Sequence, residues 1–324
     1  MIIAYCPSST GLERIEVPAG KAPPPTSVWV DLFRPTPEEH QLAETLMGAE
    51  IPAKKELGSI EASARLYDEP GALVMMAMMP MAARIPDPEL SSITLVLSSK
   101  RLVTVRHGEL QSIALCSKKV QSDRTIAHTG PAVLSALMEI VVDRCADVME
   151  EVSTHFDSMS KTVFEEGISA RKKDVYHEAI RTLGRIGLQV ARMHDVCASL
   201  SRMLIYLDSH ASKVSLSDQQ SKIFNMYSRD LHSIKEHGDA LDNKLSFLLD
   251  ATIGLVNLEQ NQIIKIFSVL GVVFLPPTLI ASIYGMNFSN MPELSWQYGF
   301  MFSLLLMLGS VAVTYIYMKL NKLL

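Results

Sequence analysis

Two long stretches near the C-terminus contain no Asp, Glu, Lys or Arg: Ile266 to Pro292 and Leu294 to Met318. Each exceeds the roughly 20 residues that an α-helix needs to cross a bilayer. A buried helical hairpin of a soluble protein is the competing reading. Two charge-free segments joined by so short a connection are more economically read as a membrane hairpin. The N-terminal MIIAYCPSST has neither a basic start nor a long apolar run, so a secretory signal does not account for the hydrophobicity, and the bulk of the chain is expected to stay on the side where it is made. Lys265 precedes the first span and Lys319 and Lys322 follow the second, which by the positive-inside rule places both ends in the cytoplasm. The loop carrying Glu293, Trp296 and Tyr298 then lies outside.

Composition sharpens this division. Residues 1–262 hold 34 acids against 27 Lys or Arg, whereas residues 263–324 hold one acid and three Lys. A net charge of -5 argues against a nucleic-acid partner, which would require a basic field. Cys6, Cys116, Cys145 and Cys197 lie far apart, with no C-x-x-C pair, and are expected to be ordinary residues of a reducing compartment. The nine histidines form no compact zinc motif, and no G-x-x-x-x-G-K-[ST] signals ATP hydrolysis, so no organic cofactor is expected.

Ahead of the tail, apolar and β-branched runs predict strands at MIIAYC, SVWVDLF, ALVMMAMM, SITLVLSS and RLVTVR. Thr36-Pro37-Glu38-Glu39 supplies a cap and a first-turn proline for a helix, and a second short helix is expected around Leu57 to Tyr67. These pieces make an α/β domain over residues 1–125. Beyond it, Thr129-Gly130-Pro131 opens the first of three long helical patterns, divided near Glu166 and over Ser209 to Ser217, that make a stalk over residues 126–262. Gly184 and Gly187 suit a close helix crossing. The third pattern meets no proline before Pro276 and runs straight into the first span. Residues 263–324 are the hairpin, with its outer loop at about 285–297, and the fold class is an α+β membrane protein.

Two spans cannot enclose a polar conduit, so a pore would need several subunits, each contributing one helix. The first span is the better lining helix, with a stripe through Asn261, Ile264, Phe267 or Ser268, Gly271, Leu275, Thr278 and Ser282. The second span, rich in Phe302, Leu304, Leu308, Val311 and Ile316, reads as lipid-facing. Pro276-Pro277 predicts a local loss of helical hydrogen bonding and a bend.

The first span ends in Tyr284-Gly285-Met286-Asn287-Phe288, followed by Met291-Pro292-Glu293-Leu294. Gly-Met-Asn between two spans, with this loop after it and an α/β-plus-long-helix portion before it, resembles the CorA family of magnesium and cobalt transport proteins. Ile60 to Arg65 is similar to a stretch of its enterobacterial-like members. The resemblance implies a homopentameric funnel in the bacterial inner membrane, passing Mg²⁺, with Co²⁺ and Ni²⁺ as further candidate ions, and no enzymatic activity. It implies a selectivity filter at Gly285, Met286 and Asn287, with Asn287 acting on the hydration shell. Gly271 and Thr278 fall on the pore side, Ile264, Phe267 and Leu275 at apolar constrictions, Asn261 near the inner mouth and Asp250 at the cytosolic mouth. Regulatory Mg²⁺ would sit between cytosolic subunits on acidic side chains. One position acidic in some members falls at Met226, leaving Asp218, Asp230, Glu236 and Asp239 as nearby substitutes. Two alternatives stay open: the zinc-transporting branch of the superfamily, which shares Gly-Met-Asn, and a membrane-anchored signalling or scaffold protein.

Asn at the entrance suits the ion. Mg²⁺ demands octahedral oxygen coordination and dehydrates reluctantly, so a ring of amide oxygens can hold its water shell without stripping it. Neutral dipoles attract the ion yet release it more readily than a carboxylate ring would. The thioether of Met286 is too soft to be a direct ligand. A doubly charged ion crossing the full field gains roughly 4.6 kcal/mol per 100 mV, so passive influx suffices.

Overall fold

Extended segments must pair their backbone N–H and C=O groups, and the five apolar runs do so in a single sheet. Its strands are β1 (Ile2–Pro7), β2 (Leu12–Val17), β3 (Trp29–Phe33), β4 (Leu66–Glu69), β5 (Ala72–Pro80), β6 (Leu90–Leu97) and β7 (Leu102–Arg106), in the order β2-β1-β3-β7-β6-β5-β4. Neighbours are antiparallel except β3 and β7, which run parallel from Trp29 opposite Leu102 to Phe33 opposite Arg106. This computed structural model describes residues 1–52, 65–81, 90–123, 129–165, 173–286 and 296–320. The edge strands β2 and β4 are additions to the sequence reading: LERIEV and LYDE are interrupted by charges, as edge strands commonly are. Tyr67 pairs with Val74 in β4, so the helix expected to reach Tyr67 does not, and the remainder of that expectation, with Ile60 to Ala64, falls outside the described residues.

The period of two in the strands sends alternate residues to opposite faces, and both faces of the central strands are buried. On one face Ile2, Val30, Leu32, Val74, Val96, Val103 and Val105 form a core closed by Ala43 and Ile51. Ala43 belongs to α1 (Pro37–Met47), which starts as its sequence dictates. Thr36 caps the Glu39 N–H, the Glu39 carboxylate returns to the Thr36 N–H, and Gly48 ends the helix at φ 70. Such a cap stabilises a helix by about 1 kcal/mol. On the other face the Trp29 Nε1–H donates to Thr104 Oγ1 at 3.1 Å, Thr104 donates to Asp31 at 2.7 Å, and Arg106 grips the buried Asp31 carboxylate through Nε and Nη2. Tyr5 stacks on Trp29 with ring centroids 4.2 Å apart, and its hydroxyl donates to Ser117 on α2 (Gln111–Ser122).

The helical part follows as α3 (Gly130–Glu165), α4 (Lys173–Ser209) and α5 (Asp218–Tyr284). α3 packs along α4, and α4 also meets β5, where the Met78 N–H donates to Ser199 Oγ at 3.0 Å. Neither expected close-packing glycine requires its small size within this chain: a β-carbon at Gly184 would meet nothing within 4 Å, and one at Gly187 would lie 3.8 Å from Leu245. α5 is a single helix of 67 residues that opens with Ser217 and Gln220 capping one another. The chain divides into two compact units, Met1–Leu249 and Asp250–Leu324. The second holds the end of α5 and α6 (Gly299–Leu320).

Candidate ion pathway

The apolar windows of α5 and α6 have mean hydropathies of 2.2 and 1.9, and only 0% and 11% of them is buried within the chain. A hairpin in the core of a soluble protein would be shielded; this one is bare, as helices that face lipid or other subunits must be. The serine and threonine hydroxyls of α6 are satisfied inside the helix: Ser303 donates to the Phe300 carbonyl at 2.8 Å, Ser310 to Met307 and Thr314 to Ser310, both at 2.7 Å. A segment surrounded by hydrocarbon needs this internal satisfaction.

What shielding there is falls on one side of each helix. On α6 it covers Ser303, Met307, Ser310, Val311, Thr314 and Met318; on α5 it covers Val269, Val273, Pro276, Pro277, Ile280 and Tyr284. Asn261, Gly271, Thr278 and Ser282 are exposed, as are Ile264 (61%), Phe267 (69%) and Leu275 (67%). At about 100° per residue, the bare stripe through Gly271, Leu275, Thr278 and Ser282 lies about 180° from the shielded one. Those four residues line one shallow groove with Phe274 and Leu279. Asp250 lies on the same bare face. So does Asn257, a polar candidate that the sequence reading passed over and that the same spacing, extended one turn inward from Asn261, would have found.

α5 stays helical through Pro276 and Pro277. Having no N–H, the two prolines leave the Val272 and Val273 carbonyls without their i+4 donors. Next to them, Thr278 Oγ1 donates back to the Phe274 carbonyl at 2.7 Å. The helix closes after Tyr284: the Gly285 N–H reaches the Ala281 carbonyl at 2.9 Å and the Met286 N–H reaches Ile283 at 3.2 Å, a tightening of the last turn. Asn287 and Met291 to Leu294 lie outside the described residues. Past them, Trp296 packs on Phe302 with centroids 5.7 Å apart, and its carbonyl accepts from the Gly299 N–H.

The acidic candidates Asp218, Asp230, Glu236 and Asp239 are all exposed on α5. Glu236 lies 3.5 Å from His232 on its own helix, and Asp239 lies 3.5 Å from His194 of α4. Asp230 acts toward α3: partial burial, then Glu139, Asp147 and Asp230, hold the Asp143 carboxyl above the usual range against the pull of Lys119. Among the described residues no group of three His, Cys, Asp or Glu is placed to hold a metal within one chain.

The sequence matches the family of CorA-like Mg²⁺ transporter proteins over residues 26–320. It is 31% identical over 319 residues to the magnesium transport protein CorA of Escherichia coli (strain K12), covering 98% of both chains. It is 31% identical over 294 residues to that of Haemophilus influenzae (strain ATCC 51907 / DSM 11121 / KW20 / Rd), covering 91% of both. Its fold is similar to the complete structure of the CorA magnesium transporter from Methanocaldococcus jannaschii, with a TM-score of 0.74 at 16% identity, over 98% of this chain and 97% of that one.

Proposed function

The chain belongs to the CorA family, a membrane transporter with Mg²⁺ as its substrate and not an enzyme, and from that premise we propose that five copies surround a pore for hydrated Mg²⁺. The ion enters past a ring of Asn287 amides beside Gly285 and Met286. It then passes Thr278, Leu275, Gly271, Phe267, Ile264 and Asn261, and leaves near Asp250. The membrane potential drives it inward through the bacterial inner membrane, with both chain ends in the cytoplasm. Residues 1–125 form the cytosolic α/β domain, 126–262 the stalk and 263–324 the hairpin. Co²⁺ and Ni²⁺ are further candidate ions.

The observation that supports this reading is the bare face of α5, set opposite its shielded side and carrying the small and hydroxyl residues Gly271, Thr278 and Ser282 among exposed Ile264, Phe267 and Leu275. Repeated around an axis, that face lines a narrow path in which apolar rings stop ions by dewetting while hydroxyl and amide positions carry water. The exposed carboxylates at Asp218, Asp230, Glu236 and Asp239 suit a regulatory Mg²⁺ site completed by a neighbouring subunit. Reconstitution in liposomes loaded with ion-specific dyes tests the reading. Mg²⁺ entry driven by an inside-negative potential is expected, Zn²⁺ entry in preference to Mg²⁺ would favour the zinc branch, and entry of neither would favour a membrane anchor.

A further inference from the structure

The sheet face that carries Tyr5 and Asp31 is only partly covered. α2 buries Cys116 and Val120 completely, and another of its sides stands across from Ile3, Tyr5 and Phe33 over a cleft of about 790 Å³. That volume lies in the range of small-molecule sites. Backbone packing fixes the cleft. A β-carbon on Gly11, in the turn between β1 and β2, would lie 2.6 Å from the Val120 carbonyl oxygen and 2.7 Å from that of Gln121, so α2 is held against this turn by an approach that only glycine allows. We propose that the cleft binds a small organic anion, a flat apolar body with one terminal oxyanion group, and that Arg14, Lys118 and the Ser117 hydroxyl hold that group.

The two ends of the cleft differ in charge. At one end Arg14 pairs with Tyr5 in the β1–β2 register, and the Tyr5 hydroxyl donates to Ser117, next to Lys118, at 2.8 Å. Ser117 Oγ also accepts from Gln121 Nε2 at 3.1 Å. A hydroxyl has one proton besides its two acceptor positions, and among the described residues nothing accepts that of Ser117. Lys118 likewise has no ion pair among the described residues, whereas Lys119 is bound to Glu139 at 2.6 Å. Arg14 gives only Nη2 to the exposed Glu16, at 2.8 Å, and keeps further donors. Toward the start of α2, about 10 Å along the helix from Lys118, Glu109 and Gln111 line the cleft, and the Asp31 carboxylate is already neutralised by the Arg106 fork. Charged hydrogen bonds therefore draw an oxyanion to the Arg14 end. Glu109 repels a second negative charge at the other, which selects a ligand charged at one end only. Its body leaves water against Ile3, Ile113 and Ala114 between them.

Equilibrium dialysis of 2-naphthoate against the full chain in nonionic detergent micelles, with empty micelles as the blank, is expected to show saturable binding of a single molecule per chain. Naphthalene-2,6-dicarboxylate, with its second charge, and acetate, which lacks a body, should not displace it. Arg14→Gln and Lys118→Gln should each weaken binding about tenfold, the loss expected for a charged hydrogen bond, whereas Lys118→Arg keeps the charge and should keep the affinity. Ala114→Trp fills the cleft from an exposed position and should abolish binding without lowering the melting temperature. The unaltered chain gives a second measure: bound 2-naphthoate should slow acetylation of Lys118, read by peptide mass spectrometry, and leave that of Lys119 unchanged. No saturable binding above empty micelles, displacement by the dicarboxylate or by acetate, equal protection of Lys118 and Lys119, or full affinity in both glutamine variants would each overturn the proposal.

Discussion

A β-carbon on Gly238 of α5 would clash with the Nε2 of His194 on α4, with the His194 Cδ2 2.9 Å and the Met149 Cε 3.2 Å from the same point. The absent β-carbon lets the ring lie against the α5 backbone and brings Nε2 to 3.5 Å from Asp239. Gly238→Ala should gain up to about 1 kcal/mol of helix propensity, and lose about 1–3 kcal/mol because the ring must move within a packed interface. Overpacking wins. Gly184→Ala meets nothing within 4 Å and keeps only the gain. Thermal melting of the purified chain should show Gly184→Ala above and Gly238→Ala below the unaltered protein. Equal increases would mean that His194 yields freely.

Asp143 gives a dependence on pH. Partial burial and the charges of Glu139, Asp147 and Asp230 raise its carboxyl above the unfolded value, so between the two values the folded chain binds more protons than the unfolded one. Its contribution therefore destabilises at neutral pH and is relieved as pH falls through the raised folded value. Asp143→Asn should stabilise the chain at pH 7 by less than about 1 kcal/mol, because the group is screened by solvent, and so raise its melting temperature. The gain should vanish below the ordinary aspartate range; a gain that persists there would assign it to packing instead.

On the proposed reading, Asn287→Ala should remove most Mg²⁺ uptake and leave the proposed pentamer assembled, since it removes the amide of the proposed filter while α5 ends at Tyr284. Uptake in liposomes and native mass spectrometry measure the two quantities. Near-normal transport by an assembled variant would reject the filter.

Single cysteines placed at Asn290 and Asn321 of a Cys-free variant should label from opposite sides. Lys265, Lys319 and Lys322 all favour the cytoplasmic side. An impermeant thiol reagent added to intact cells should reach position 290 and miss 321. Labelling of both from outside would reject the proposed hairpin orientation.

Local chemistry made α1 legible, because Thr36, Pro37, Glu39 and Gly48 act within a few residues of one another. α2 was not legible: its N-terminal flank Leu110 makes no side-chain cap. β2 and β4 escaped because charged edge strands lack the apolar run that marks a central one. On α5 the spacing from Asn261 to Ser282 sufficed to define a helix face, since periodicity alone fixes one. The same spacing did not say which side is shielded, at Val269, Val273, Pro276 and Ile280, because burial exists only in the folded chain.

The last expectation is negative feedback by cytosolic Mg²⁺. Exposed Asp218, Asp230, Glu236 and Asp239 belong, among the described residues, to no metal-holding cluster within one chain, and Asp230 already raises Asp143. A divalent ion shared between subunits would screen that repulsion and hold the helices together, narrowing the path at Ile264, Phe267 and Leu275. Its loss would let them part and the path wet. The ion can act only through different affinities for the two states, since equal affinity shifts nothing. Current recordings should show larger conductance when cytosolic Mg²⁺ is chelated, with monovalent salt held constant to keep screening fixed. Neutralising Asp230 and Glu236 together, as Asn and Gln, should weaken the response to added Mg²⁺ while sparing the conductance seen without it. An open probability unchanged from trace to millimolar Mg²⁺ in an active preparation would reject feedback and leave the Asn287 entrance untouched.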